Sequence, residues 1–465
     1  MDTTHLFSSL NIPKEQLDNL DILGYLAMTP IQSLALPPIL AKKDVRAKAK
    51  TGSGKTAAFG IGILTFIDVN LFQVQSLILC PTRELATQVT QELRRLARYL
   101  PNVKITSLCG GVSKRPQDVS LMRPAHIVVG TPGRILDHLS KRTLSLEFLK
   151  TFVLDEADRM LDMGFSDTVD EIIDLLPTAR QTLLFSATYP PQIEKMSAHV
   201  QNNPISVSID SQNDILKIEQ LFFKVSRENR LETLEKILGH YQPQSCLIFC
   251  NTKRETSIVM DALSAQGMSV LALNGDLEQR ERDQVLVQFS NGSCRILVAT
   301  DVAARGLDIK ALALVINYEM AFDADTHIHR IGRTGRAGLE GLAISLCHEK
   351  ELHRVKSIEQ DLNISALFID INSLYEKKSD PKLAHLESKM LTLRIDAGRK
   401  AKIRAGDILG ALTGDSGLLS EDIGKIDLFD MYSCVAITQA IADRHFIRTQ
   451  EIKIKGRYVR VRLLE

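Results

Sequence analysis

Up to residue 365, short runs of aliphatic and β-branched residues alternate with longer stretches of helical periodicity, and this alternation is the strongest restriction on the fold. Candidate strands lie at 44–49, 76–80, 126–130, 152–155 and 182–186, then at 245–250, 269–273, 295–299, 313–317 and 342–346. The runs lack polar alternation, the pattern of strands buried on both faces in parallel sheets built from βαβ units. Between the two sets lies "NNPISVSIDSQND" (202–214), whose Asn, Pro, Ser and Asp content suits a connector. A chain of 465 residues is too long for one core and long enough for two or three. Two α/β domains with parallel sheets are therefore predicted. Past residue 365 the polar, turn-rich "INSLYEKKSDPK" (371–382) leads into a C-terminal segment, 386–465, of different character.

The formal charge of +1 argues neither for nor against a nucleic-acid partner, because binding depends on local basic patches and not on the total. The N-terminal "MDTTHLFSSLNIPKEQ" carries acids and has no apolar core region, so no signal peptide is expected. The longest apolar run, 57–67, stops at Asp68 and is too short to span a bilayer. Seven cysteines lie scattered in apolar runs such as "SCLIFCN" (245–251), which reads as reduced core thiols in a cytoplasmic protein. A metal site at Cys246 and Cys250 is conceivable but disfavoured, since no second Cys/His pair accompanies them.

The most specific local motif is "AKTGSGKT" (49–56), directly after one candidate strand and before a helical pattern. That context is the one a phosphate-binding loop requires. Thr51, Gly52, Ser53 and Gly54 wrap exposed N–H groups around phosphates, Lys55 reaches the β/γ oxygens and Thr56 holds Mg²⁺. In "VLDEADRMLDMGF" (153–165) an apolar strand runs into Asp155-Glu156. Adjacent strand residues face different sides, so Asp155 can support the Mg²⁺ shell while Glu156 positions and deprotonates the attacking water. Farther on, "HRIGRTGRAG" (329–338) sets Arg333 and Arg336 three residues apart in a glycine-rich run, two guanidinium groups in need of an anion.

With these motifs in place, the chain resembles a DEAD-box RNA helicase of superfamily 2. The motif letters are Asp155-Glu156-Ala157-Asp158. Further blocks occur in family order: "GYLAMTPIQ" (24–32), "PTRELA" (81–86), "GG" (110–111), "TPGR" (131–134), "SAT" (186–188), "CLIFCNT" (246–252), "NGDLEQRERD" (274–283) and "ATDVAARGLD" (300–308). Met28 departs from the proline common in the family at that position. The resemblance implies two tandem RecA-like parallel-sheet domains, 1–204 and 215–365, joined by a linker at 205–214. It also implies ATP as cofactor, with Gln32 on the adenine edge, Tyr25 stacked on the ring, and Gly306 and Asp308 at the ribose. Phe7 reads as core. Arg333 and Arg336 become arginine fingers for the γ-phosphate, whereas Arg330 could instead meet RNA phosphates. Ser186 and Thr188 would link Asp158 to His329 and so tie hydrolysis to domain closure. Thr82, Arg83, Gly110, Gly111, Thr131 and Arg134 of the first domain, with Arg282 and Thr300 of the second, would hold single-stranded RNA by its backbone, contacts that carry little sequence information.

Specificity is then expected from the tail. "GRKAKIR", "GDILGALTG" and "IGKI" resemble the RNA-binding domain that ends the DbpA group, which implies a small α+β RRM-like domain at 386–465 after a linker at 366–385. "EIKIKGRYVRVRLLE" (451–465) reads as a strand with one basic face, making Lys453, Lys455 and Arg457 candidate RNA contacts. It lacks the usual pair of base-stacking aromatics, which favours a basic surface recognising RNA shape. The DbpA-group resemblance implies an RNA-dependent ATPase and nonprocessive helicase acting on large-subunit ribosomal RNA and assembling ribosomal particles. A nonenzymatic RNA clamp should have lost Lys55, Glu156 or Arg336, and all are present. A DNA-acting superfamily 2 enzyme is disfavoured by "GYLAMTPIQ" and the full DEAD signature.

Overall fold

A computed structural model describes residues 6–49, 52–209, 218–304, 312–335, 341–362, 364–374, 386–414, 418–441 and 451–464. The chain divides into two compact units, the first ending before residue 212 and the second holding the described residues from 218 onward.

In the first unit, strands β1 (Val45–Lys48), β2 (Ser76–Leu79), β3 (Ile105–Leu108), β4 (Ile127–Gly130), β5 (Thr151–Asp155), β6 (Gln181–Ser186) and β7 (Ile205–Ser208) form one parallel sheet in the order β3-β4-β2-β5-β6-β1-β7. Alternate residues of each strand feed two cores, one on each face. Ile78, Val129, Val153 and Phe185 enter one core, while Leu77, Leu79, Val128, Phe152 and Leu154 enter the other. That is why these strands read as unbroken apolar runs. The covering helices are amphipathic. Helix Arg83–Leu96 buries Leu85, Ala86, Val89, Leu93 and Leu96 along one stripe, and the Thr82 hydroxyl caps it by accepting from Leu85 N (3.2 Å).

The second unit repeats the plan. Strands β8 (Ile218–Val225), β9 (Cys246–Cys250), β10 (Val270–Leu273), β11 (Ile296–Thr300), β12 (Leu314–Asn317), β13 (Gly341–His348) and β14 (Leu367–Ile369) order as β10-β11-β9-β12-β13-β8-β14, again parallel. The tail follows as an antiparallel sheet of β15 (Met390–Ile395), β16 (Ile423–Leu428), β17 (Ser433–Thr438), β18 (Glu451–Ile454) and β19 (Arg457–Leu464), in the order β16-β17-β15-β19-β18. Helix Ala405–Thr413 covers one face of it through Ile408 and Leu412.

Three boundaries differ from the sequence reading. The linker placed at 205–214 opens on β7, which pairs with β1, because alternating "ISVS" makes an edge strand after the turn-rich "NNP". The second domain passes residue 365: β14 extends its sheet, and Leu386, 1% exposed, is buried in its core. Residues 451–465 are not one strand. Lys455 (φ 49°) and Gly456 (φ 78°) turn the chain back into a hairpin, the positive φ pair that a two-residue turn needs.

The tail is bonded to the second RecA-like domain. The Thr392 hydroxyl, fully buried, accepts from Asn291 Nδ2 (2.8 Å) and lies 2.8 Å from Ser293 Oγ. Ser388 Oγ donates to Gly292 O (2.6 Å), and Lys425 Nζ donates to Ser290 Oγ (3.2 Å).

Candidate active site and RNA-binding surfaces

Because the first sheet is parallel, all of its strands deliver their carboxyl ends to one edge, where ligands bind in open α/β sheets. The spatial order of strands sorts the motifs into two groups along that edge. After β3, β4 and β2 come Gly110-Gly111, Thr131–Arg134 and Thr82-Arg83; after β5, β6 and β1 come Asp155-Glu156, Ser186–Thr188 and the glycine-rich loop.

In the loop, Gly52 and Gly54 adopt positive φ (84° and 101°), and helix Lys55–Phe66 starts directly behind them. A Cβ on Gly54 would lie 2.6 Å from Gln32 Nε2, so the position excludes side chains on two counts. Lys55 is 5% exposed, with Nζ 4.0 Å from Asp155 Oδ1. Neither atom has a hydrogen-bond partner, which leaves a buried cation and a buried anion suited to a polyanion and its counter-ion. Burial raises the Asp155 pKa; Lys55 pulls it down and neighbouring Glu156 pushes it up. Thr56 sits half-buried one residue further on.

The strand-to-helix junction after β5 is tight. Glu156 takes a left-handed backbone (φ 55°, ψ 51°), uncommon for a residue with a side chain, and helix Ala157–Asp162 follows at once. Asp158 is wired to the end of β6. Its Oδ2 accepts from Ala187 N (3.1 Å), Thr188 N (2.9 Å) and Thr188 Oγ1 (3.1 Å), and its own N–H donates to Ser186 Oγ (3.2 Å). Asp158, Ser186 and Thr188, the candidate coupling residues of the first domain, are thus brought into direct contact.

Gln32 and Tyr25 both have partners within the first domain. Gln32 is 2% exposed and both ends of its amide are engaged: Oε1 accepts from Thr29 N (2.8 Å) and Nε2 donates to Gly54 O (3.2 Å). Through these bonds it braces the phosphate loop. The Tyr25 hydroxyl donates to Glu92, and its ring meets Phe7 edge-on at 6.1 Å, with Phe7 buried in the core.

The neighbouring RNA candidates form a second cluster. Gly110 N donates to Thr131 Oγ1 (3.2 Å) and Arg134 Nη2 donates to Val112 O (2.9 Å), so the two motifs make one unit. In the second domain, Arg282 Nη2 reaches Ala303 O (3.4 Å), beside Thr300, whose hydroxyl accepts from Ala303 N (3.4 Å).

The RNA-phosphate role left open for Arg330 does not fit its placement. It is 1% exposed; Nε and Nη2 hold the Asp301 carboxylate at 2.7 Å each, and further bonds run to Asn251 Oδ1 (2.7 Å) and Glu319 O (2.7 Å). A bidentate, buried pair of that kind organises its own domain. Arg333 is 3% exposed, and His329 lies half-buried in the last turn of helix Ala324–Ile331. Thr51, Gly306, Asp308 and Arg336 lie outside the described residues.

The tail's proposed basic trio is not one surface. Lys453 pairs with Tyr458 across the hairpin, while Lys455 sits in the turn, bound to Asp407 (2.7 Å), and Arg457 pairs with Ile454, whose side chain enters the core. Registration instead aligns Lys453 and Tyr458 with Arg460 and Arg462 on the outer face. Tyr458 is 72% exposed.

The DEAD/DEAH box helicase family matches residues 29–196, the helicase conserved C-terminal domain 229–338, and the DbpA RNA binding domain 392–463. The ATP-dependent RNA helicase DbpA of Escherichia coli (strain K12) is 55% identical over 460 residues, spanning 99% of this chain and 99% of that protein. The chain belongs to the DbpA family of DEAD-box ATP-dependent RNA helicases. The protein of the same name from Bacillus subtilis (strain 168) is 37% identical across 98% of both chains. Among solved structures, S. cerevisiae Dbp5 bound to RNA and ADP BeF3 is similar at a TM-score of 0.74 and 29% identity, covering 80% of this chain and 97% of that one. The protein is therefore an RNA-dependent ATPase and helicase that binds ATP and RNA. No helix among the described residues is long and apolar enough to cross a membrane.

Sequence reasoning passed over Arg159, 2% exposed and 3.1 Å from Glu156. Its spacing of three residues from Glu156 on a helix start was the available signal. Thr392 left none, because nothing local marks a strand hydroxyl that will be buried by another domain.

Proposed function

We propose that this helicase acts in the cytoplasm on structured large-subunit ribosomal RNA during assembly of ribosomal particles, separating strands locally and nonprocessively. The reading is carried by the RNA-binding module being present, matched to relatives over their full length, and bonded to the second helicase domain. The core's candidate contacts are to sugar and phosphate, so the address must come from the tail. The exposed outer face of Lys453, Tyr458, Arg460 and Arg462, with the basic loop Arg399, Lys400, Lys402 and Arg404, is the surface proposed for it.

In the first domain, Lys55 would bind the β/γ oxygens, Thr56 and Asp155 would hold Mg²⁺, and the loop N–H groups of Gly52, Ser53 and Gly54 would cradle the triphosphate. The metal ion supplies charge neutralisation at the phosphates. The donor set fits: Mg²⁺ takes few protein ligands and keeps waters and phosphate oxygens, and the Asp155 Oδ1 atom is buried without a hydrogen-bond partner. Glu156 orients the attacking water and takes its proton. Arg333 and Arg336 stabilise the γ-phosphate charge from the second domain, worth about 10³–10⁵ in rate in other nucleotide hydrolases. Asp308 and Gly306 are proposed at the ribose, and His329 as the partner of Thr188 and Asp158 in closure.

The test uses the full chain, since cutting at residue 386 would take Leu386 from the second domain's core. ATPase rate is measured against concentration for a large-subunit rRNA fragment and for an unrelated RNA, in the parent and in Lys453→Glu/Arg460→Glu. The charge reversal should raise the half-saturating rRNA concentration at least tenfold, flatten its salt dependence and leave the unrelated RNA within threefold. Unchanged discrimination refutes the tail as address.

A further inference from the structure

Three carboxylates fall within four residues of the DEAD stretch, and all are buried: Asp155 at 2%, Glu156 at 2% and Asp158 at 5% exposure. Two have visible partners elsewhere in the site. Asp158 is taken up by the turn after β6, and Asp155 faces Lys55. The third meets Arg159, whose Nη1 lies 3.1 Å from Glu156 Oε2. Arg159 and Arg330 are the largest fully buried side chains among the described residues, and the Arg159 backbone N–H is fastened to Glu156 O (3.0 Å) and Asp158 Oδ1 (3.1 Å). A guanidinium out of water is costly, and replacing such a pair with apolar residues is often neutral or stabilising. Stability alone is thus a weak reason for an arginine here. Meanwhile the left-handed backbone at Glu156 holds the residue's Cα between strand and helix but does not choose its side-chain rotamer.

We propose that Arg159 is a positioning residue for Glu156: the ion pair pins Oε2, which sets the place of Oε1 and so the water that attacks the γ-phosphate. The inference rests on the reading of Glu156 as the water-orienting base. Substrate binding is left to Lys55 and the glycine-rich loop, so Arg159 acts on turnover and not on ATP affinity. The effect travels wholly through Glu156, which makes it separable from any other role of a buried arginine.

The experiment is a double-mutant cycle on the full chain at saturating ATP and RNA, read as kcat and as KM for ATP, with single-turnover hydrolysis for slow variants. Glu156→Gln should abolish nearly all turnover; if it does not, the reading of Glu156 fails and the inference falls with it. Given that loss, Arg159→Met should lower kcat at least tenfold with KM for ATP within threefold, and Arg159→Lys should recover most of the loss. In the Glu156→Gln background, Arg159→Met should change the residual rate less than twofold. An unchanged kcat for Arg159→Met, or an undiminished tenfold effect in the Glu156→Gln background, overturns the proposal while leaving Glu156 as base. If Arg159→Met fails to fold, Arg159→Gln, which keeps donors without the charge, carries the same comparison.

Discussion

Replacing Asp158 by Asn tests the wiring between the DEAD stretch and the turn after β6. In the native chain the carboxylate accepts four hydrogen bonds, three on Oδ2 from Ala187 N, Thr188 N and Thr188 Oγ1 and one on Oδ1 from Arg159 N. An amide has one acceptor oxygen. If it faces the turn, its NH₂ group confronts the Arg159 N–H, and a donor is left against a donor. Bonds to a charged group contribute about 1.5–3 kcal/mol and neutral ones about 1, while an unmet buried donor costs about 1–3. Allowing for non-additivity, the loss is about 3 kcal/mol, concentrated in residues 186–190 because Lys55, Asp155 and the loop are untouched. Hydrogen exchange at the Ala187 and Thr188 amides reads it directly: their opening free energy should fall enough to speed exchange roughly a hundredfold, since each 1.4 kcal/mol is tenfold. Strand separation should drop by more than ATP hydrolysis in the same variant. Exchange within threefold of the parent, with an unchanged ratio of unwinding to hydrolysis, would refute the assignment of Asp158 as the coupling acceptor.

Two further outcomes follow from buried polar groups in the second unit. Thr392→Val keeps the shape of the side chain but leaves Asn291 and Ser293 facing a methyl group, a cost of about 1–3 kcal/mol that should shift the tail roughly 5- to 150-fold toward the undocked state. Energy transfer between dyes on the tail and on the second domain should fall, with ATPase at saturating RNA unchanged; constant transfer would mean the bonds do not hold the tail. His327 lies 1% exposed, 2.9 Å from Gln220 Oε1, and burial, with Arg330 beside it, pushes its pKa down to about 3. The fold thus holds the neutral ring, whereas the unfolded chain takes up a proton below about 6.5. Stability from this group is whole above that pH and is lost as pH falls toward 3, about 2 kcal/mol being gone at pH 5. His327→Gln should therefore lose less melting temperature between pH 7 and pH 5 than the parent, and an equal loss in both would count against a neutral buried ring.

The sequence alone determined the two parallel sheets and the phosphate loop, because both are written in local chemistry. A strand covered on both faces must be apolar throughout, as in "CLIFC", and a backbone that curls at φ 84° and 101° needs Gly52 and Gly54. The DEAD carboxylates were legible for the same reason, at the end of a recognisable strand. Periodicity tells which face an element turns inward, but not what other part of the chain will cover it. Thus the RNA-phosphate role left open for Arg330 gave way when Asp301, Asn251 and Glu319 closed around it, and the bond from the Gln32 amide to Gly54 had no local signature. Alternation in "EIKIKGRYVRVRLLE" carried across Lys455-Gly456, where the turn reverses the chain and decides which basic residues share a surface. Thr392 and Arg159 show the limit most plainly. A hydroxyl on a strand and an arginine on a helix are solvent-facing by default; packing between distant segments gave Thr392 its partner, and burial of the helix start took Arg159 out of water together with its near neighbour Glu156.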